Sequence, residues 1–322
     1  MGAGFATGQE IYTFFTRYGF PGFAGVVIST IIFCVIGSFV LRKTMLCDES
    51  SPQDITLIKY GKIGAEFIKL IFIFMQFAVF IVMISGLRTI ISQTGIPNIV
   101  SSVIVTVGMF FIISSDISRI IKFNTLVTPI VILGITATCV MLLAKTYPES
   151  FEIVRTNDYR WIISALLYGI FNSVLAIPAL CISGKILDSK KQAVWGGTLG
   201  GLLIGGMAFM SNTVIFNNRK VVAGSQMPII DLASNFISSF GSIYQIIIFI
   251  AMASSAVICG RCTVDLFENK KSERTFFKKN FKALLICLLA IPLSMINFSG
   301  LIGSLYPFFG AVGIIAIVLI LC

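Results

Sequence analysis

The chemistry this sequence can offer gathers at a few polar residues set among apolar ones. Glu10 comes first. It follows the glycine-rich stretch GAGFATG (residues 2–8) and falls in the first turn of a short predicted helix, 9–20. Amide donors and the helix dipole favour an anion at such a position. A carboxylate inside a membrane is costly and is usually there for function. It can bind a cation, carry a proton or hold a substrate amine; the plainer alternative is that Glu10 caps its own helix. Asn172 and Ser173 form a second polar point, six residues before Pro178 in LYGIFNSVLAIPAL. Gln76 sits in the middle of an apolar run, as a site lining or as an interhelical hydrogen bond. Ser254 and Ser255 pair two hydroxyls inside AMASSAVICG, where small residues also serve close helix packing.

Other patterns carry less. Gly2, Gly4 and Gly8 approach a dinucleotide fingerprint, but no strand precedes them and no acid follows at the required distance. Cys259 and Cys262 form a C-x-x-C, yet zinc wants four ligands and no second pair or His accompanies them. The chain has no histidine at all, which excludes Ser-His-Asp triads and histidine proton relays. WGGTLGGLLIGG (195–206) repeats glycine at four-residue spacing, a pattern for close helix packing. Lys62, Glu66 and Lys69 are spaced for pairing along one helix. No nucleophile–base pair or metal cluster is visible, so an enzyme is not expected and no cofactor is called for beyond a coupling ion.

The elements that must position these residues are membrane spans. Of 322 residues, 57% are hydrophobic and only 12% charged, with mean hydropathy +0.97. A soluble domain would be about 25% charged. Spans need about 20 mainly apolar residues. Beyond the short helix 9–20, they are predicted at about 21–42, 62–88, 97–115, 120–145, 160–187, 190–216, 241–266, 281–298 and 301–322. A small surface helix is expected within 229–240. The net charge of +10 resides in short loops, which argues for membrane topology and against nucleic acid. With the chain start inside, the outer side holds only Arg17, Arg88, Lys145, Arg155, Arg160, Arg219 and Lys220, and the rest of the 24 basic residues lie inside. The bias predicts a multi-pass protein of the cell membrane with both ends cytoplasmic.

Two spans carry interruptions: GAGFATG at the start, and the stretch 172–178, where Pro178 lacks an amide and clashes with the preceding turn. Broken helices persist in membranes where the freed backbone lines a cavity. One break opens the first segment and the other the sixth. The segments thus divide five plus five, with inverted repeats at about 1–145 and 160–322 within a single domain and a site at the breaks. Non-helical backbone is expected at both; continuous helix through 172–178 would remove the basis for the repeat.

GAGFATGQEIYTFF, followed by a short turn and a second helix, resembles the YkvI-type membrane proteins, distant relatives of LeuT-fold transporters in the amino acid–polyamine–organocation superfamily. The likeness covers the whole chain in segment order, with its specific motif confined to the first 15 residues. A half-helix precedes the break in such folds, whereas this sequence begins at Met1, so that half-helix is expected to be missing here. The resemblance implies a substrate site at the unwound parts of helices 1 and 6, involving Gly4, Phe5, Gly8, Glu10, Gln76, Asn172 and Ser173. It also implies a sodium ion held by Ser254 and Ser255 of the eighth span together with backbone oxygens at Ala3 and Ala6. The fifth span has no lysine between 123 and 144 to replace that ion.

The function expected is secondary active transport of a small, amino-acid-like organic solute by alternating access, with sodium favoured over protons. The alternative is a non-transporting solute receptor on the same fold, like germination permease subunits. The partners implied are the solute and the lipid bilayer; oligomeric state is not legible.

Overall fold

The computed structural model describes residues 3–46, 52–115, 117–145, 159–184, 187–236, 238–267 and 276–321. Among them there is no strand. The protein is an all-α polytopic membrane protein, and 7 of its described helices are long and apolar enough to cross a membrane.

The chain begins with two helical stubs, α1 (Ala3–Ala6) and α2 (Gln9–Phe14), followed by a 3₁₀ turn at Thr16–Tyr18. Long helices then follow: α3 (Pro21–Leu46), α4 (Pro52–Ser92), α5 (Asn98–Ile113), α6 (Ile117–Lys145), α7 (Arg160–Gly184) and α8 (Lys190–Asn217). A short α9 (Pro228–Phe236) precedes α10 (Ser238–Phe267), α11 (Phe276–Leu293) and α12 (Phe298–Leu321). Every segment expected from hydropathy has a helix in its place. Within α4, Gly61 takes a left-handed conformation (φ 67°) and divides the element into two helical pieces.

Burial between helices in lipid rests on close packing more than on the hydrophobic effect, so small residues mark the seams. The clearest seam joins α3 and α8. A side chain at Gly197 would strike the Ser38 backbone, one at Gly201 would lie 2.7 Å from the Cys34 amide nitrogen, and one at Gly205 would strike Thr30. As α8 ascends, its contacts descend α3, so the two run antiparallel. Only this row of the glycine-rich segment packs: Gly200 and Gly206 face open space. On the other flank, α7 runs parallel to α3, with Gly169 against Ile32 and the Ser29 hydroxyl donating to the Ala165 carbonyl at 2.8 Å. Its opposite side meets α12, where Gly310 and Gly313 lie over Leu167 and Ile170. Polar pairs join the remaining helices. Ser102 and Ser294 share a 2.7 Å hydrogen bond between α5 and α11, and Arg261 pairs with Asp265 at 2.7 Å while donating to the Ile113 carbonyl.

Two expectations are corrected. The second break is absent: α7 is continuous helix through 172–178, with Pro178 inside it. Proline costs a membrane helix one internal hydrogen bond but does not end it when neighbours hold it in place. Here α3 and α12 grip α7 from both sides. Proline is also internal to α6, α11 and α12, so in this chain it does not mark an interruption. With helix 6 unbroken, the five-plus-five inverted repeat loses the observation it rested on. The second correction concerns α9, expected at the surface. Its Pro228, Ile229, Ile230, Leu232 and Ala233 are buried, because the helix packs down on the first break.

Candidate functional site

The first break is narrower than expected. Residue 2 lies outside the described residues, and Ala3–Ala6 is helical. The helix is interrupted at Thr7 and Gly8, where Gly8 adopts φ 82°. That conformation is nearly free for glycine and costly for other L-residues. Local hydrogen bonds complete the turn. The Thr7 hydroxyl donates to the Gly4 carbonyl at 2.8 Å, the Gly8 amide donates to the Phe5 carbonyl at 3.0 Å, and the Gln9 amide donates to Thr7 Oγ1 at 3.3 Å. Two further carbonyls point away from the turn and are met from elsewhere in the fold. Ala6 accepts from the Tyr244 hydroxyl at 2.6 Å, and Thr7 accepts from the Ile229 amide at 3.0 Å.

Glu10 is 1% exposed. Gly8, not Glu10, occupies the N-cap of α2, and no side chain caps that helix. The Glu10 side chain instead folds back across the break, so that a Cβ at Gly4 would collide with its Oε1. The carboxyl faces the Phe5 amide and the hydroxyls of Tyr168 on α7 and Tyr306 on α12. Glu10 Oε2 and the Tyr168 hydroxyl still lack partners of good hydrogen-bond geometry. Aromatic rings close the chamber: Phe14 and Phe15 lie 5.1 and 4.9 Å from Tyr168, and Phe171 lies 4.3 Å from Tyr306.

Beside α1 a cavity of about 460 Å³ lies between α1, α4, α6, α7, α8 and α10. Phe5 and Ala6 contribute the break's share of its wall. Gln76, Asn124, Thr128, Ser254 and Ser255 supply the hydroxyl and amide groups, and most of the remaining lining is aliphatic. Gln76 is 4% exposed and its Oε1 has no hydrogen-bond partner. The Ser254 hydroxyl donates to Asn124 Oδ1, joining α10 to α6. Thr128, Ala179 and Leu203, on three different helices, are exposed members of the wall and mark its mouth.

The structure thus gathers Phe5, Ala6, Gln76, Ser254 and Ser255 around one space. Gly4 and Glu10 stand apart in the aromatic chamber, and Gly8 is covered by Ile215 and Ile229. Ala3 lies in α1, and its side chain is outside the described set. Asn172 and Ser173 are not on the cavity wall. The Asn172 amide donates to the Tyr168 carbonyl at 3.2 Å within its own helix, and the buried Ser173 hydroxyl lacks a partner. From the same helix, Leu175, Ala176 and Ala179 line the cavity instead. Asn124 and Thr128 are not among the residues singled out from sequence, although their spacing of four places both on one face of the helix. Cys259 is also on the wall, and both it and Cys262 are free thiols.

No protein-family model matches the chain. Over 328 residues it is 25% identical to the uncharacterized membrane protein YkvI of Bacillus subtilis (strain 168), an alignment spanning 100% of this chain and 92% of that protein. The chain is similar to YkvI from end to end. It is also 24% identical over 332 residues to the uncharacterized protein YyaD of the same organism, again with 100% of this chain and 92% of the relative covered. The likeness first read from GAGFATGQEIYTFF therefore extends far beyond that motif to all of the helices that build the cavity.

Proposed function

We propose that this protein is a secondary active transporter of a small organic solute of amino-acid-like character, working by alternating access around the break between α1 and α2. The observation that carries the reading is the cavity itself. It lies within a bundle of membrane-spanning helices, and part of its wall is the first helix, interrupted at the left-handed Gly8. Interrupted helices beside a polar-lined space are the usual architecture of a membrane solute site. α9 and Tyr244 cover the break from other elements, while the cavity wall has exposed members at Thr128, Ala179 and Leu203.

Coupling to a cation gradient completes the proposal, with sodium favoured and Ser254 and Ser255 as side-chain ligands beside the backbone of α1. Both serines and Ala6 border the same cavity, which supports this choice. The Ala6 carbonyl keeps a second lone pair beyond the one Tyr244 engages.

The test is a thermal-shift screen of the purified protein against amino acids, their amides and amines, followed by uptake of the radiolabelled hit in proteoliposomes under a sodium gradient. Accumulation above the equilibrium level is expected. Saturable binding with no accumulation in sealed vesicles would assign the protein instead to solute receptors.

A further inference from the structure

The walls of the cavity define the charge of what it holds. We infer that this site takes an uncharged, largely apolar solute bearing a neutral amide, and that it discriminates against zwitterionic and charged organic solutes. The inference rests on the cavity being the solute site proposed above.

Among the described residues, no Asp, Glu, Lys or Arg lies on the wall. A charged organic solute would therefore find no described side chain of opposite charge, and burying an uncompensated charge is far costlier than burying a hydrogen-bonded neutral group. The carboxyl that comes nearest in sequence, Glu10, is turned against Gly4 and the two tyrosines and is not among the residues of the wall. Interrupted helices can substitute for charged side chains by directing free backbone dipoles at an ionic group. In this protein each carbonyl of the break already has a partner within the fold, and what Ala6 has left is the lone pair assigned above to the cation. The carbonyls of Gly4, Phe5, Ala6 and Thr7 accept from Thr7, Gly8, Tyr244 and Ile229 respectively, and the Gln9 amide is held by Thr7.

What remains for a solute is a neutral polar patch. Gln76 presents an acceptor, Oε1, that no group in the protein satisfies, and the side chain is almost fully buried at the wall. Asn124 and Ser255 stand on the same wall, while the Ser254 and Thr128 hydroxyls are spent on Asn124 Oδ1 and the Asn124 carbonyl. A primary or secondary amide complements this patch best. Its N–H can donate to Gln76 Oε1, and its carbonyl can accept from a side-chain amide in return. Val79, Val127, Val131, Ile132, Ile135 and Ile258 then contact the apolar remainder. A volume of about 460 Å³ lies in the range of ordinary small-molecule sites.

The experiment uses the full chain in lipid nanodiscs and probes matched in side chain but not in charge. These are N-acetyl-leucinamide and N-acetyl-phenylalaninamide as neutral amides, leucine and phenylalanine as zwitterions, and leucinamide as a cation. Calorimetric titration should show the neutral amides binding at least about tenfold more tightly than their charged counterparts. Gln76→Leu should weaken neutral-amide binding by about tenfold, the worth of one hydrogen bond in a closed site, without lowering the melting temperature of the free protein. Ala176→Leu, which fills the cavity from the facing wall, should abolish binding of the same probes and guards against misfolding of the first variant. Free amino acids binding as well as the amides, or no neutral amide binding at all, would overturn the inference. Neutral amides that bind but never accumulate in vesicles would leave it standing and remove the transport reading. Accumulation of leucine with the amides ignored would do the reverse.

Discussion

Tyr244 on α10 donates its hydroxyl to the carbonyl oxygen of Ala6, at 2.6 Å and out of reach of solvent. The residues are 238 positions apart in the chain. Next to this bond the Ile229 amide serves the Thr7 carbonyl. Membrane helices cannot leave backbone groups unsatisfied in the hydrocarbon region, so an interruption must find partners in tertiary structure. The break in the first helix is stabilised by this pair of contacts from α9 and α10 as much as by its own glycine. A helix that covers the break and a tyrosine that binds its carbonyl must both move if the cavity is to open on the opposite side.

Tyr244→Phe removes one hydroxyl and keeps the ring. The Ala6 carbonyl is then buried without a partner, which costs about 1–3 kcal/mol. A lower melting temperature in detergent is expected, together with faster reaction of a cysteine placed at Ala6 with a thiol reagent added from the α9 side. Unchanged stability and unchanged labelling would show that the bond is incidental to the break.

Gly8→Ala should be among the most damaging single-methyl changes in the chain. The left-handed backbone alone costs about 1–2 kcal/mol for an L-residue. The new methyl would also sit 2.7 Å from Ile229 Cγ1 and 2.9 Å from Ile215 Cδ1. Gly206→Ala is the matched control, since nothing lies within 4 Å of its added carbon, and it should be neutral or gain about 0.5–1 kcal/mol of helix propensity. Equal melting temperatures for the two variants would contradict the assigned geometry of the turn.

How much of this was readable in advance depended on the kind of force involved. Hydropathy placed every long helix because lipid imposes a minimum apolar length on each segment independently of the rest. Gly8 was readable as a break because glycines cluster there without any helix-forming alternative. Pro178 misled for a complementary reason: its effect depends on what grips the helix, and α3 and α12 hold α7 straight. The burial of α9 was equally invisible, since its apolar stretch fits a lipid surface or a protein surface alike. Within the cavity, Gln76 and the serine pair stood out as polar residues in apolar runs. Asn124 obeyed the same rule and was passed over because it lies near the start of its span, where polar residues need no special account. That Asn172 turns back to its own helix depends on its rotamer, which composition does not encode.

The seam between α3 and α8 yields a sharper packing test. At Gly201 an added Cβ would approach the Cys34 amide nitrogen to 2.7 Å, and backbone cannot rotate away as a side chain can. Gly201→Ala should therefore push the helices apart at a cost of about 1–3 kcal/mol. Gly196→Ala, on the neighbouring face of the same helix, meets only the tip of Leu41 at 3.8 Å and should be silent. Thermal melts of both in one detergent decide the matter, and comparable losses would move the seam to another face of α8.

The last prediction concerns the coupling ion. Ser254 and Ser255 share the cavity wall with Ala6, and Ser254 is already oriented by its hydrogen bond to Asn124. A hydroxyl that donates to an amide oxygen leaves its lone pairs free, which is the arrangement a bound cation needs from a serine ligand. Replacing both serines with alanine should abolish most of the sodium dependence of uptake while preserving the fold, because alanine suits a packed membrane helix. Replacing Asn124 with leucine should produce a weaker form of the same defect, since it removes the group that orients Ser254 and leaves both hydroxyls in place. Glu10→Gln tests the competing carrier. The amide is close to isosteric with the carboxyl but cannot exchange a proton, so it should leave sodium dependence intact if the serines hold the ion. Uptake that is equal in sodium and choline buffers with the serines present, yet loses its pH dependence in Glu10→Gln, would transfer the coupling role from the cavity wall to the aromatic chamber around Glu10.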